Sequence, residues 1–211
     1  MDKDKIVEDV NKYYTDKLQT FGATPKGVDW NSIESQETRF NQLASIINSP
    51  NQEFSILDYG CGYGSMYAYL KNKFPENFSF HGYDISEEMI SKAKEIYGND
   101  SSTQWFTQIN PASTKVDYVI ASGIFNVKLN HSNQDWQAYI LDTLQQFNSL
   151  ATKGFAFNML TSYSDKEYMR DNLYYAEPFF FFDYCKKNFS KYVAVLHDYP
   201  LYEFTILVKK L

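Results

Sequence analysis

FSILDYGCGYG, residues 54–64, is a short apolar run that passes directly into closely spaced glycines. The run FSILDY predicts a buried β-strand, and the amphipathic segment MYAYLKNKF that follows the glycines predicts a helix. Gly60, Gly62 and Gly64 therefore lie where a strand turns into a helix. Glycines at such a turn let the backbone bend tightly and let a ligand approach it beside a helix N-terminus. The stretch predicts an α/β domain with a ligand site at this turn.

The next strand supplies an acidic residue on the same side of the sheet. FSFHGYD, residues 78–84, ends in Asp84, whose carboxylate can accept hydrogen bonds from both hydroxyls of a ribose. The glycine loop reads G-x-G-x-G, with Ser65 where the dinucleotide pattern G-x-G-x-x-G has its third glycine. The glycine loop and Asp84 together predict an adenosine pocket. They leave a nicotinamide dinucleotide and S-adenosylmethionine (SAM) both open.

The strand and helix alternation continues along the chain and defines the fold class. Further strands are predicted near 103–107 and at 116–122, 154–160, 192–197 and 203–210, and further helices at 86–98, 135–150 and 179–187. The last two strands are joined by so short a link that they must be antiparallel. The sequence predicts a doubly wound, Rossmann-like α/β fold with a seven-stranded, mostly parallel sheet and an antiparallel end strand.

Two helices precede the first strand, at 4–18 and from Asn31, as N-cap, to about Ile47. They predict an N-terminal helical cap over residues 1–50 and a Rossmann-like domain over 51–211. Gln36 falls on the apolar stripe of the second helix, and Arg39 is one of two arginines in the chain. We expect both to face a cofactor or substrate. The alternative is a surface arginine beside a core glutamine whose hydrogen bonds are satisfied.

Composition excludes several classes of function. The 211 residues carry a formal charge of −6, and no Lys/Arg cluster marks a nucleic-acid surface. No apolar run approaches the roughly 20 residues of a membrane span, and the charged N-terminus is unlike a signal peptide. Cys61 and Cys185 lie too far apart to suggest a disulfide scaffold or a metal site. We expect a cytoplasmic protein that binds no metal, nucleic acid or membrane, and we leave a monomer and a homodimer open.

The motifs resemble those of the class I SAM-dependent methyltransferases. LDYGCGYG is similar to their first motif, YDIS to their acidic second motif, and VDYVIASGIFNV to their fourth-strand segment. The resemblance extends from Phe54 onward. Asp58 ahead of the glycines, its spacing to Asp84 and the antiparallel end strand favour SAM over a nicotinamide cofactor.

The resemblance implies a set of cofactor-binding residues. Asp58 would lie near the amino group of SAM, Asp84 would hold the ribose hydroxyls, and Arg39 would pair with a SAM carboxylate or a substrate oxyanion. For Met89 a purely structural position in the core remains an alternative. The cofactor-binding residues predicted in this way are Gln36, Arg39, Asp58, Gly60, Cys61, Gly62, Asp84, Ile85, Met89, Phe106 and Ser122. The product would be S-adenosylhomocysteine (SAH).

The acceptor is expected at the carboxyl ends of the strands. SGIFN, residues 122–126, differs from the [N/D]-P-P-aromatic motif of enzymes that methylate base amino groups, which favours an oxygen acceptor. Three loop residues, His131, His197 and Asp198, are candidate general bases, and we favour His197 because it ends a strand. Arg170 would suit a phosphate, although a surface position is an equal alternative. The predicted acceptor-binding residues are Phe125, Asn126, Tyr163, Arg170, Tyr199 and Tyr202.

The cap segment GATPKGVDWNSIESQETRF, residues 22–40, resembles a bacterial subgroup that methylates small metabolites and precursors of surface polysaccharide, including nucleotide-linked ones. We therefore expect a SAM-dependent O-methyltransferase for a small, polar, phosphate-bearing or nucleotide-linked metabolite. A non-catalytic SAM-binding regulatory or partner subunit and a protein methyltransferase are the alternatives.

Overall fold

The computed structural model describes residues 2–30, 32–48, 51–75, 77–98, 102–111 and 113–210. Its helices are α1 (Lys3–Phe21), α2 (Ile33–Ala44), α3 (Ser65–Lys73), α4 (Glu87–Tyr97), α5 (Asn133–Leu150) and α6 (Pro178–Asn188). Its strands are β1 (Phe54–Tyr59), β2 (Phe78–Tyr83), β3 (Thr103–Phe106), β4 (Val116–Ala121), β5 (Ala151–Leu160), β6 (Tyr192–Leu196) and β7 (Glu203–Lys209). Two short 3-10 helices span Pro25–Val28 and Lys166–Tyr168.

The strands form one seven-stranded sheet in the order β3-β2-β1-β4-β5-β7-β6. The pairs from β3 to β5 are parallel, and β7 is antiparallel to both β5 and β6. The predicted Rossmann-like sheet with its antiparallel last strand is confirmed. That strand lies one place inside the edge of the sheet, which β6 occupies. The chain builds outward on both sides of the β1–β4 pair, so the ligand crevice of such a sheet lies at the carboxyl ends of these two strands.

Each face of the sheet is covered by helices over its own hydrophobic core. Successive residues of β1 point to opposite faces, with Leu57 in one core and Ile56 in the other. The first core contains buried residues of α1, α5 and α6, and the second contains those of α2, α3 and α4. The two cores hold β1 and β4, and hence the crevice, between two layers of helices.

The start of α2 differs in detail from the sequence prediction. Asn31 lies outside the described residues, and the N-cap is Ser32, whose Oγ accepts a hydrogen bond from the Ser35 amide. Ser35 returns the interaction, because its Oγ accepts from the Ser32 amide and completes a capping box. The helix ends at Ala44, short of the predicted Ile47.

The N-terminal helices are packed into the same cores as the sheet. Ile6 and Val10 of α1 belong to one core, and Phe40 and Leu43 of α2 belong to the other. The boundary predicted after residue 50 therefore separates segments that share hydrophobic cores. None of the helices in the described ranges is both long and apolar enough to cross a membrane.

Candidate functional site

The glycine loop forms a tight turn between β1 and α3. Gly60 has φ +82° and Gly62 has φ +54°, in the left-handed region that side chains rarely adopt. A Cβ added to Gly60 would lie 2.3 Å from Cγ2 of Ile124. The amides of Gly60 and Cys61 both donate to the Tyr83 carbonyl at the end of β2. The turn is thus fixed to the neighbouring strand with its backbone facing the crevice.

Asp84 connects the glycine turn to the start of α4. Its Oδ2 accepts from the Gly62 amide at 2.8 Å, and its Oδ1 accepts from the Ser86 amide at 3.0 Å. Burial raises the pKa of Asp84, and these two backbone donors oppose the rise. The carboxylate therefore shapes the turn and also lies on the wall of the crevice.

Asp58 is a buried carboxyl group with an unmatched oxygen. It is 2 % exposed, and its Oδ1 has no hydrogen-bond partner among the described residues. Burial, and after it the negative charge of Asp84, raises the pKa of Asp58 to about 8. A buried polar atom without a hydrogen-bond partner destabilises the folded protein. Binding of a cationic hydrogen-bond donor beside Asp58 would therefore be strongly favoured. The buried Ser122 Oγ, also unpaired, lies on the same wall.

These groups line one cavity, here called the first cavity, at the carboxyl ends of β1, β2 and β4. The predicted cofactor residues that line it are Gln36, Asp58, Gly60, Cys61, Gly62, Asp84, Ile85, Met89 and Ser122. Gln36 donates to Ser65 Oγ at 3.0 Å, which satisfies part of its buried amide. Burial raises the pKa of the Cys61 thiol well above its usual value, so the thiol stays neutral.

Two predicted cofactor residues lie elsewhere. Phe106 does not line the first cavity, and its ring stacks on His81 with 6.0 Å between centroids. Arg39 is buried and forms an ion pair with Glu203, with Nε 2.9 Å from both carboxylate oxygens and Nη2 2.7 Å from one of them. Because Glu203 neutralises the guanidinium, the geometry does not support the predicted pairing of Arg39 with a SAM carboxylate.

A second cavity adjoins the first. Its volume is larger, about 640 Å³ against about 100 Å³ for the first cavity. Aromatic rings from the cap, from the loop after β5 and from the link between β6 and β7 form much of its wall: Tyr13, Tyr14, Phe21, Trp30, Tyr168, Tyr175 and Tyr202. Its charged residues are Lys17, Lys26, Asp29, Arg39, Glu167, Arg170 and Glu203. Tyr14, Val28, Trp30 and Gly123 line both cavities, and we call these four residues the junction.

The structure brings half of the predicted acceptor residues to the second cavity. Asn126, Arg170 and Tyr202 line it. Phe125 and Tyr199 line neither cavity. Phe125 is fully buried in the core, and the Tyr199 hydroxyl forms a hydrogen bond with Thr205 Oγ1 at 3.0 Å. Tyr163 is exposed and also lines neither cavity.

The favoured base, His197, lies outside both cavities. It follows β6 at the sheet edge, is exposed, and packs against Tyr163 and Phe204. His131 stacks on Trp136 and lies 3.1 Å from an Asp9 carboxylate oxygen. Within the described ranges, no histidine lines either cavity. The same part of the chain contains no group of three or more His, Cys, Asp or Glu side chains suited to holding a metal ion.

Sequence reasoning missed the cap residues at the junction. A signal for Tyr14 was present, since Ile6, Val10 and Tyr14 recur every four residues and share one face of α1. No comparable local pattern marks Trp30. Its position follows from packing against Gly123, where an added Cβ would lie 2.1 Å from the Trp30 ring.

Comparisons with known proteins identify the family. Residues 56–146 match the sequence model of a family described as "Methyltransferase domain". A candidate methyltransferase of Mycobacterium tuberculosis is 45% identical over 166 residues, which cover 78% of this chain and 98% of the relative. The chain therefore belongs to the class I SAM-dependent methyltransferases.

Solved structures share the fold. The magnesium protoporphyrin IX methyltransferase of Synechocystis PCC 6803, solved with bound SAH, has a TM-score of 0.61 and 16% identity and covers 99% of this chain and 100% of its own. A SAM-dependent methyltransferase of Leishmania major has a TM-score of 0.63 and 16% identity, covering 95% of this chain and 83% of its own. At these identities the likeness shows a common architecture.

Proposed function

We propose that the protein transfers the methyl group of SAM to an oxygen atom of a small, polar, anionic acceptor. Phosphate-bearing metabolites, including nucleotide-linked precursors of surface polysaccharide, are the acceptor class that we favour. The observation that carries this proposal is the pair of adjoining cavities. One contains a buried carboxyl oxygen, beside a glycine turn, that has no partner among the described residues, and the other contains two cations, Lys26 and Arg170, that form no ion pair with any described residue.

The first cavity has the groups that SAM requires. The unpaired Oδ1 of Asp58 would accept from the SAM ammonium group, and Asp84 would accept from the ribose hydroxyls. The glycine turn exposes backbone without side chains to the methionine part, and Ile85 and Met89 provide apolar surface for the adenine. The orphaned Asp58 oxygen thus gains a partner when the cofactor is bound.

Charge in the second cavity favours an anionic acceptor. Lys17 pairs with Asp29 at 2.6 Å, and Arg39 pairs with Glu203. The side chains of Lys26 and Arg170 make no ion pair with any described residue, and both are exposed to the cavity. An arginine fork and a lysine that line the same cavity would favour binding of a phosphate group.

The protein's part in the chemistry is to align the two reactants. Bound SAM supplies a methyl carbon on a positively charged sulfur, and its bonding electron pair stays on sulfur when the methyl leaves. The walls of the two cavities would hold the acceptor oxygen behind that carbon. Because no histidine of the described chain lines the cavities, we expect the acceptor proton to leave to solvent.

A product assay tests the proposal. The protein is incubated with SAM and matched panels of phosphorylated metabolites, nucleotide-linked sugars, neutral sugars and peptides, and methylated product and SAH are measured by mass spectrometry. We expect turnover in the phosphate-bearing panels. Exchanging both Lys26 and Arg170 for glutamine should raise KM about tenfold or more while SAH affinity stays constant.

Lys187→Gln is the control and removes one exposed charge from α6, where Lys187 pairs with Asp183. It should leave turnover unchanged. Preferred turnover of neutral acceptors or peptides would refute the acceptor class. Tight SAH binding without turnover of any panel would favour a non-catalytic partner subunit, for which the distance of His197 from the cavities is the supporting observation.

A further inference from the structure

The junction is where the two cavities meet, and the methyl group must cross it. If SAM occupies the first cavity and the acceptor occupies the second, as proposed above, the sulfur and its methyl lie against residues that line both. Those residues are Tyr14, Val28, Trp30 and Gly123. Tyr14 is the junction residue that carries a hydroxyl group. We propose that the Tyr14 hydroxyl oxygen contacts the sulfonium methyl of SAM and distinguishes SAM from SAH.

The Tyr14 hydroxyl is available for such a contact. The neighbouring Tyr13 hydroxyl donates to Asp29 at 2.7 Å, whereas no hydrogen bond joins the Tyr14 hydroxyl to any described residue. Burial, and after it the carboxylate of Asp29, raises the pKa of Tyr14, with a further contribution from Asp84. The phenol therefore stays protonated at neutral pH, and its oxygen can act as a hydrogen-bond acceptor.

The aromatic alternative at the junction is already engaged. The Arg39 guanidinium lies 4.0 Å from the Trp30 ring centroid, and the Cη2–Cζ2 edge of that ring lies against Gly123. The guanidinium occupies this face of the indole, and a sulfonium on the same face would have to displace it. This leaves Tyr14 as the aromatic residue of the junction whose ring and oxygen can face a positive sulfur.

The chemistry of the two ligands makes the inference testable. The methyl hydrogens of a sulfonium are polarised by its positive charge, so a phenol oxygen can accept weak C–H···O contacts from them. SAH has neither the methyl group nor the charge. Tyr14 should therefore contribute to SAM affinity and not to SAH affinity.

The experiment compares SAM and SAH binding to the wild type and to Tyr14→Phe by calorimetry. The variant keeps the ring and removes only the oxygen. We expect its Kd for SAM to rise about threefold to fivefold, which corresponds to about 1 kcal/mol or less, while its Kd for SAH stays constant. Tyr139→Phe is the matched control, because Tyr139 lines the first cavity but not the second. Its ratio of SAM to SAH affinity should equal that of the wild type.

The outcomes separate this inference from the proposed function. A wild type that binds neither ligand would refute the proposed function itself. Binding of both ligands with an unchanged SAM to SAH ratio in Tyr14→Phe would overturn the role of Tyr14 and leave the proposed function standing. A ratio that also changes in Tyr139→Phe would show a general effect of lost phenols, and would equally overturn the assignment.

Discussion

At the scale of single residues, the protonation of Asp58 links ligand binding to pH. Its pKa of about 8 means that the carboxyl is mostly neutral at pH 7 in the free protein. A bound ammonium group favours the ionised form, so binding releases a proton below pH 8. We expect the Kd for SAH to fall about tenfold per unit as pH rises from 6 to 7.5, and to level off above pH 8.

Calorimetry in two buffers with different ionisation enthalpies measures the released proton directly. Asp58→Asn removes the titrating group and should give a nearly flat profile with weaker binding throughout. An SAH affinity in the wild type that does not change between pH 6 and 8 would contradict the placement of Asp58 beside the ammonium group.

Asp84 combines two tasks, so its removal should weaken binding for two reasons. Asp84→Ala deletes the proposed ribose acceptor and also leaves the amides of Gly62 and Ser86 without their partner. We expect SAH affinity to fall at least tenfold, or about 1.4 kcal/mol. Asp84→Asn keeps one acceptor and should lose less. Glu87→Gln, an exposed charge loss in the first turn of α4, is the control and should bind as the wild type does.

Local sequence patterns can place the residues of one βαβ unit together, whereas they contain no information on contacts made between distant parts of the chain. The glycine turn and Asp84 lie in one βαβ unit, so local patterns place them together, and the structure does bring them to one cavity. Arg39 meets Glu203 across 164 positions of sequence, a pairing that no local pattern contains. Phe125 shows a different limit of prediction from sequence. Its loop lies at the crevice, but its side chain is buried in the core.

At the scale of elements, the turn between β1 and α3 should depend on Gly60 through both strain and space. Gly98, at the end of α4, has φ +74° and no atom within 4 Å of an added Cβ. Gly98→Ala therefore tests strain alone and, because ψ is −168° and this backbone conformation is nearly restricted to glycine, should cost about 1–3 kcal/mol of unfolding free energy. Gly60→Ala adds the contact with Ile124 and should cost roughly 2–4 kcal/mol and weaken SAH binding.

Urea unfolding of the two variants measures the difference, and calorimetry reports SAH binding. Equal losses of stability would mean that the Ile124 side chain moves away at little cost. Unchanged SAH affinity in Gly60→Ala would show that the ligand does not depend on this turn.

Sequence periodicity predicted whether a segment is a helix or a strand better than it predicted the residues at which the segment begins and ends. β5 begins at Ala151, directly after α5 ends at Leu150. The apolar pattern predicts the strand only from Gly154, because Thr152 and Lys153 are polar residues at its exposed start. The start of α2 likewise depends on the reciprocal serine hydrogen bonds of Ser32 and Ser35.

At the scale of the whole molecule, a buried ion pair joins the cap to the sheet. Arg39 of α2 binds Glu203 of β7, Asn158 of β5 donates to the same carboxylate, and the Gly123 amide donates to Asn158. Removing either partner leaves an uncompensated buried charge. Arg39→Leu and Glu203→Leu should each cost about 3–5 kcal/mol, and the double variant should cost clearly less than their sum.

Denaturant unfolding of the four proteins in this cycle gives the coupling energy. Lys187→Ala breaks an exposed pair with Asp183 and should change stability by less than about 0.5 kcal/mol. Additive effects of the two leucine substitutions would contradict the interaction. The wild-type pair also holds Trp30 at the junction, so the single variants should bind SAH more weakly as well.

The overall architecture was predictable, whereas the order of its last strands was not. Alternating strands and helices specify a parallel sheet with helices on both faces, and a short link specifies an antiparallel pair. Neither pattern states which earlier strand the pair joins. β7 pairs with β5 and leaves β6 at the edge, which is why His197 lies away from the crevice.

The inserted position of β7 has a consequence for truncated forms of the protein. β5 and β6 have no direct pairing and are joined only through β7, which follows both along the chain. A chain truncated after β6 therefore leaves unpaired the edges of β5 and β6 that β7 covers, and these edges are open to foreign chains. A variant that stops ahead of Glu203 should consequently aggregate, and chaperones should bind it more than they bind the whole protein.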